Sequence, residues 1–305
     1  MQEYRDEIVQ VLKDAAVALL ILAIILSSLY VYTGRWPPMV VIESASMSHG
    51  EGDPPESMLG VIDTGDIVAV KTVNDRHEIV TYIEGRASGY RTYGQYGDVI
   101  IFRPDGSEDK TPVIHRPVLY IEYNETADGF DVPDLADLTY EKDWQSDEGE
   151  RVYGLTKNII LNDYGHRDVT LEIDLGSFLN SDNEYQPDGF ITMGDNNIDN
   201  NRGIYDQGNL RNINEPIRIE WVEGKARGEL PWFGSLKLIY MGRTESVPPN
   251  TWRNLIISIA VIISLPIIIE YALDYYKKKD KDDEEVELEK ENKTGKEKKI
   301  LKKKY

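Results

Sequence analysis

Three short motifs in the chain carry residue types that can do nucleophilic and acid–base chemistry. Residues 44–47 read Ser-Ala-Ser-Met, residues 113–116 read Val-Ile-His-Arg, and residues 194–197 read Gly-Asp-Asn-Asn. A serine hydroxyl is a weak nucleophile until a base adjoins it, imidazole is such a base near neutral pH, and a carboxylate can orient the imidazole. Taken singly, each motif is also an ordinary structural feature: a loop serine, a buried strand histidine and an Asx-capped turn.

The segment that must position these motifs has the pattern of a β-rich domain. Short runs of Val, Ile, Phe and Tyr recur between Gly, Pro, Asn and Asp residues, which is typical of strands. Strands are predicted at residues 67–71, 99–102, 113–115, 118–120, 189–193, 217–222 and 236–240, with a turn at the Gly-Lys-Ala-Arg-Gly motif of 224–228. The predicted fold is mainly β, a twisted and partly closed sheet. Residues 122–187 are irregular and acid-rich, and we interpret them as an inserted subdomain or long loop system.

Two apolar runs flank this domain. Residues 15–32 contain no charge, and residues 255–269 are nearly all Ile, Val, Leu and Ala, with Pro266 inside. With the aromatic residues beside them, both approach the 20 or so residues that a membrane helix needs. The predicted spans are 15–32 and 253–272. The alternative is a secretory signal peptide followed by a buried core helix, but the first run lacks an Ala-x-Ala-like cleavage site.

The charged flanks predict how the chain is oriented in a membrane. The tail contains 12 lysines within residues 277–305, and cytoplasmic flanks are enriched in Lys and Arg. We therefore expect a multi-pass cell-membrane protein with a cytoplasmic N-terminus (1–14), an extracytoplasmic domain (33–252) and a charged cytoplasmic tail (273–305). That tail is expected to be disordered or a loose charged helix.

Composition excludes several classes of function. The chain has 305 residues, 34 Lys and Arg against 54 Asp and Glu, a net charge of −20, and no cysteine. Nucleic-acid binding is not expected, because phosphate contacts need clustered basic residues. The lack of cysteine excludes disulfides, thiolate metal sites and a cysteine nucleophile. The four histidines are scattered, so no metal and no cofactor are predicted.

In this order, and after a membrane span, the motifs resemble those of type I signal peptidases. The similarity is to the Ser–His branch found in archaea and in the eukaryotic endoplasmic reticulum complex, and it covers roughly residues 15–120 and 188–240. The box at 44–47 resembles the family's Ser-x-Ser-Met, the His-Arg pair stands where bacterial relatives have Lys-Arg, and Gly-Asp-Asn resembles the acidic box. The sequence Tyr-Asp-Gln at 205–207 is similar to haloarchaeal members.

The resemblance implies an activity and a set of site residues. The family removes signal peptides from exported preproteins after small residues at the −1 and −3 positions. It implies Ser46 as nucleophile, His115 as general base and Asp195 as the first candidate to orient it. The Ser46 backbone N–H and the Ser44 hydroxyl are the implied oxyanion donors. The implied partners are preproteins that bear signal peptides, the lipid bilayer and the secretion translocon.

The sequence departs from the family in three places. His49 follows Met47 where relatives often have Pro, so it is a rival base to His115. Asn201 stands where relatives often have a second Asp, which leaves Asp199 and Asp206 as alternative acids. About 80 residues separate the histidine from the acidic box, more than in compact relatives.

Two other functions are compatible with parts of this pattern. A Ser–Lys peptidase would use Lys71 or Lys110 as base, although Lys110 follows the acidic residues Glu108 and Asp109, which favour its protonated form. A membrane-anchored surface or adhesion protein without catalysis would fit the acidic exterior and the sequon at residues 124–126. A protein without catalysis would not require the Ser, His and Asp motifs to occur, or to occur in this order.

Overall fold

The computed structural model describes residues 2–179, 188–208 and 213–302. The chain divides into two compact units, Met1–Thr251 and Trp252–Tyr305. The helices are α1 (Gln2–Thr33), α2 (Tyr82–Ser88), α3 (Gly176–Leu179), α4 (Ser235–Tyr240) and α5 (Thr251–Lys302). The strands are β1 (Met39–Val41), β2 (Ile67–Lys71), β3 (Arg91–Thr92), β4 (Gln95–Tyr96), β5 (Ile100–Phe102), β6 (Val113–Asn124), β7 (Gly129–Asp131), β8 (Trp144–Ser146), β9 (Asn158–Tyr164), β10 (Val169–Asp174), β11 (Gly189–Met193), β12 (Ile198–Asp199), β13 (Arg202–Gly203) and β14 (Val222–Leu230).

The domain between the apolar helices is built mostly of sheet, as predicted. Its main sheet has the order β1-β2-β14-β5-β6-β11, and β7 pairs with the far end of β6. All of these pairings are antiparallel. In the part of the chain that the structure describes, β1 and β11 end the path without pairing with each other, so the sheet is open. The expectation of a partly closed sheet is therefore wrong.

The register of the long strand β6 brings the His-Arg motif to the middle of the sheet. His115 lies opposite Ile100 of β5, and Arg116 lies opposite Met193 of β11. Both side chains are fully buried. The end of β11, which leads into the Gly-Asp-Asn-Asn motif, is therefore placed directly beside the histidine.

Much of the segment 122–187 forms a second sheet. Its order is β12-β13-β10-β9-β8, so the short β12–β13 hairpin that follows the acidic motif completes it. Val169, Leu171 and Ile173 alternate with exposed residues along β10, and their buried side chains join one core with Leu119 and Ile191 of the main sheet. The second sheet thus packs on the first. Residues 180–187 of the predicted insertion lie outside the described residues.

Several local expectations were wrong. Residues 236–240 form a helix, not a strand, with Leu238 buried beneath it, because packing rather than propensity decides the structure of so short a segment. Residues 219–221 are a 3-10 helix, and the expected turn at 224–228 lies inside β14. The two strands predicted at 113–115 and 118–120 are one strand, because Pro117 lies within β6 beside a register shift in its pairing with β11.

The two terminal helices are long and apolar enough to cross a membrane. The candidate spans are Tyr4–Thr33 and Thr251–Lys279, each with a mean hydropathy of 2.4. The apolar window of α1 is 0 % buried, so α1 is not a core helix. Helix α5 runs through Pro266 and continues in the charged tail to Lys302.

Candidate active site

The serine motif follows β1 and is held on both sides by buried apolar residues. Ile42 and Met47 are 3 % and 1 % exposed and pack in one cluster with Val68 and Val70 of β2 and Ile101 of β5. Between these anchors the backbone turns, with the amide of residue 48 donating to the carbonyl of residue 45. The turn presents the two serines of the motif towards the His-Arg strand.

Ser46 and His115 are in direct contact. The Oγ of Ser46 lies 2.9 Å from Nε2 of His115, although 69 residues separate them in the chain. Ser46 is 9 % exposed and His115 is fully buried, so only the hydroxyl side of the pair is accessible. Lys71 and Lys110 have other partners: the Lys71 ammonium lies over the ring of Tyr32, and Lys110 pairs with Asp105.

The other ring nitrogen of His115 faces Asp206. Nδ1 lies 2.6 Å from Asp206 Oδ2, which also accepts a 2.7 Å hydrogen bond from the Thr192 hydroxyl. A carboxylate only accepts hydrogen bonds, so Nδ1 carries the proton and the Nε2 lone pair faces the Ser46 hydroxyl. Ser46, His115 and Asp206 therefore form a continuous hydrogen-bonded chain in the order that a catalytic triad requires.

Asp206 is itself fixed by β11. Its amide donates to the Thr192 carbonyl, and the next residue, Gln207, accepts from the Thr192 amide and donates to the Phe190 carbonyl. These contacts attach the 205–207 segment to β11 beside β6. They bring the carboxylate to the histidine from a segment 91 residues away.

The expectation that Asp195 contacts His115 is corrected by this geometry. Asp195 forms a two-point ion pair with Arg116, at 2.8 Å to Nε and 2.7 Å to Nη2, and accepts from His49 Nε2 at 3.0 Å. Burial raises the pKa of Asp195, but the Arg116 charge and these hydrogen bonds outweigh it and hold that pKa well below its usual range. The reason for the difference is that β6 is a strand, so the adjacent residues His115 and Arg116 point to opposite faces.

Of the other candidates from the sequence, Asp199 and His49 are not bonded to His115, and Ser44 lies beside Ser46. Asp199 is exposed, and Asn201 lies at positive φ on the same β12–β13 hairpin. His49 bonds Asp195 rather than Ser46. The Ser44 hydroxyl lies 3.3 Å from that of Ser46, close enough to share a bound oxygen.

The acidic motif packs on the serine turn through its backbone. The Asn196 amide donates to the Ser46 carbonyl at 2.8 Å, and its side chain donates to the Ala45 carbonyl at 3.1 Å. A Cβ on Gly194 would lie 2.6 Å from the Ser46 carbonyl oxygen and 2.8 Å from His115 Nε2. Glycine is therefore needed at residue 194 because the turn passes so close to the Ser–His pair.

A groove of about 610 Å³ opens at Ser46. Its floor and walls are mostly apolar and come from residues 39–42 around β1, from Ile101 and from residues 111–114; Glu43, Lys237 and Arg243 lie at its polar side. Lys237 and Arg243 both pair with Glu43. Because β1 is an edge strand of the main sheet, an extended peptide in this groove can add to the sheet.

Among the described residues, no group of three His, Cys, Asp or Glu side chains is arranged to hold a metal ion.

No protein-family model matches the chain, and no curated protein matches it significantly.

Sequence reasoning missed three residues of the site. The Thr192 hydroxyl bonds Asp206, the Gln207 side chain ties the neighbouring residue to β11, and His166 stacks on His49. Thr192 has a readable signal, since it is the one polar side chain in the buried run of β11. His166 has none, because only the fold of the second sheet brings it near the serine turn.

Proposed function

We propose that this protein is a membrane-bound serine endopeptidase that acts as a type I signal peptidase on exported preproteins. The observation that carries the proposal is the hydrogen-bonded chain from Ser46 through His115 to Asp206. The order of the motifs after a membrane-length apolar helix supports the same activity, as does their resemblance to the archaeal Ser–His branch.

The proposed mechanism follows from the protonation states in this chain. His115 Nε2 takes the Ser46 proton as Oγ attacks the scissile carbonyl, and it then donates that proton to the leaving amine. Asp206 holds the imidazole in the required tautomer and stabilises its charged form. Water then attacks the acyl-enzyme with His115 again acting as base.

The groove supports an extended peptide as substrate. A peptide that pairs with the free edge of β1 places alternate side chains against Met39, Val41 and Ile114, while its scissile carbonyl reaches Ser46. The Ser44 hydroxyl and the Ser46 amide are the proposed donors to the tetrahedral oxyanion, and one such donor is worth roughly 10²–10³ in rate. Small side chains at the −1 and −3 positions are proposed from the family resemblance.

The proposed location is the cell membrane, with both apolar helices spanning it and the sheet domain on the extracytoplasmic side. That arrangement would bring the groove to preproteins as they leave the translocon. The Lys-rich segment after the second apolar helix supports a cytoplasmic C-terminus.

The experiment that tests the proposal compares membranes that contain the wild type, His115→Ala or His115→Lys with a model preprotein. Wild-type membranes should release the mature protein, at a rate that falls in acid as the imidazole base becomes protonated. Both variants should fail, since the Ser46 proton then has no imidazole acceptor. Cleavage that survives in His115→Ala would favour a Ser–Lys mechanism, and no cleavage by wild type would favour a surface protein without catalysis.

A further inference from the structure

Two histidines from distant segments stack beside the proposed active site. His49 lies three residues after Ser46, and His166 lies in the turn between β9 and β10 of the second sheet. Their ring centroids are 4.2 Å apart, with an angle of 14° between the planes. Neither ring nitrogen of His166 has a hydrogen-bond partner in the described structure, so the stacked face is its principal contact.

The stack is connected to the Ser–His pair through Asp195. His49 Nε2 bonds Asp195 Oδ2, and Asp195 pairs with Arg116, which adjoins His115. The next residue, Asn196, holds the Ser46 turn by two hydrogen bonds. His166, in the turn between β9 and β10, therefore contacts the serine turn directly through the His49 ring. The same His49 ring links it to Asp195 of the acidic motif.

The charges around the two rings determine when the stack is stable. Burial and the neighbouring His49 lower the pKa of His166 to about 4, Arg167 acts in the same direction, and Asp195 and Asp168 act against them. His49 faces the Asp195 and Asp63 carboxylates, with Arg116 beyond Asp195. A positive charge on His166 would lie directly against the ring of His49.

We propose that the His49–His166 stack is a positioning contact through which the second sheet holds the Ser46 turn, and that acid releases it. The inference rests on the proposed peptidase function and adds a form of regulation to it. His49 and His166 are positioning residues, since neither touches Ser46 or His115. The pH outside the cell would then determine what fraction of the molecules keep the stack and hold Ser46 in its position.

The sign of the effect follows from proton linkage. An exposed histidine titrates near 6.5, and the stacked state lowers the affinity of His166 for a proton. Stacking is therefore fully favoured above about pH 6.5 and is lost progressively as the pH falls towards the lowered value. The substitution His166→Phe keeps the ring contact and removes the titrating group.

The test uses the full chain in detergent micelles with a model preprotein as substrate. His166→Ala should lower kcat by roughly 10- to 100-fold, with KM little changed, because misplacing a reacting group by about 1 Å costs that much. His166→Phe should restore kcat at pH 7.5 and lose less activity than wild type between pH 6.5 and 4.5. His77→Ala, which removes an exposed histidine, is the matched control and should behave as wild type.

A double-mutant cycle makes the test specific to the pair. In a His49→Ala background, His166→Ala should have little further effect on kcat, since the contact is already lost. Equal activity of wild type, His166→Ala and His166→Phe at every pH would overturn the proposal. So would additive losses from His49→Ala and His166→Ala. Thermal unfolding of each variant at pH 7.5 separates loss of folding from loss of positioning.

Histidine ring NMR provides a readout that does not need peptidase activity. With the four histidines assigned by single variants, protonation of His166 should shift the ring signals of His49 and His115 together in wild type, and this shift should be absent in His166→Phe. Should wild type cleave no preprotein, the proposed function fails, while the coupled signals still support the stack. Independent titration of His166 with no change at His49 would overturn it.

Discussion

Two buried carboxylates contact the His-Arg motif, and their partners give them different roles. Asp206 is bonded by the neutral Thr192 hydroxyl and by the imidazole, so its negative charge is available to stabilise an imidazolium. Asp195 is already neutralised by a two-point pair with Arg116. We therefore assign the orienting role to Asp206 and a structural role to Asp195.

Replacing Asp206 should affect rate far more than stability. In Asp206→Asn the amide would donate to Nδ1 and leave the proton on Nε2, facing Ser46, so the base is in the wrong tautomer. We expect the cleavage rate to fall by about 10⁴, with little change in Tm. Asp199→Asn, on the exposed hairpin, is the matched control and should be as active as wild type. An Asp206→Asn variant within tenfold of wild type would contradict the assignment.

Replacing Asp195 should mainly lower the stability of the fold. Asp195→Asn leaves the fully buried Arg116 without a counter-charge, and breaking a buried pair in this way typically costs about 3–5 kcal/mol of unfolding free energy. Denaturant unfolding measures the cost directly. Glu172→Gln removes a carboxylate from a 4.0 Å pair with Arg202 that is largely exposed, and should cost less than about 1 kcal/mol. Equal costs for the two variants would show that the Arg116 pair is not a structural requirement.

The sequence predicts the residues of this site better than their contacts. The types and order of the motifs are enough to select Ser46 and His115, and the structure brings these two together. For the acid, Asp195 was the first candidate and Asp206 an alternative; the structure brings Asp206 to His115, because Asp195 bonds Arg116 on the other face of β6. The resemblance at residues 205–207 makes Asp206 a candidate, but its contact with His115 depends on the β12–β13 hairpin, which returns the chain to β11.

At the scale of elements, the turn after β11 is the tightest constraint on the site. It contacts the Ser46 carbonyl through Asn196, and its glycine leaves no space for a side chain. The β11–β6 register fixes the other side of the same turn, since Met193 lies opposite Arg116. The position of Ser46, the proposed nucleophile, therefore depends on the close backbone contact between these two loops.

Gly194→Ala should test that approach. The new methyl group would lie 2.6 Å from the Ser46 carbonyl oxygen and 2.8 Å from His115 Nε2. Both distances are shorter than a van der Waals contact, so the two loops must separate. We expect cleavage to fall by roughly 10²-fold, the usual cost of a misplacement of about 1 Å, in a chain that still folds. Gly176→Ala, in α3, is the same substitution away from the site. A Gly194→Ala enzyme with wild-type kcat would show that the turn tolerates movement.

The elements also show where sequence patterns are insufficient. The apolar run of β11 was predicted as a strand and is observed as one, whereas the strand β10 lies in the segment that was interpreted as irregular. Residues 236–240 have no alternation, and their composition of Leu, Lys, Ile and Tyr suits a strand or a helix equally. Helix α4 forms there because one turn of helix is enough to bury Leu238. Such a short segment is decided by packing rather than by propensity.

At the scale of the whole molecule, the proposed activity requires the sheet domain to lie outside the membrane that α1 and α5 are proposed to span. A C-terminal tag in intact cells or sealed right-side-out vesicles should resist added protease. A protease site inserted in the exposed turn at residues 125–128 is the matched control and should be cut. Digestion of the tag, or protection of the inserted site in sealed vesicles, would contradict the topology.

The central claim is that Ser46 is the nucleophile of a signal peptidase, and one measurement tests it most directly. Purified full-length wild type, Ser46→Ala and Ser48→Ala are incubated with a model preprotein that has alanine at −1 and −3, and the released peptide is identified by its mass. Ser48 is buried in the same turn and is therefore the matched control. We predict cleavage after the −1 alanine by wild type and by Ser48→Ala, and a loss of at least about 10⁴-fold in Ser46→Ala. Undiminished cleavage by Ser46→Ala would contradict the account.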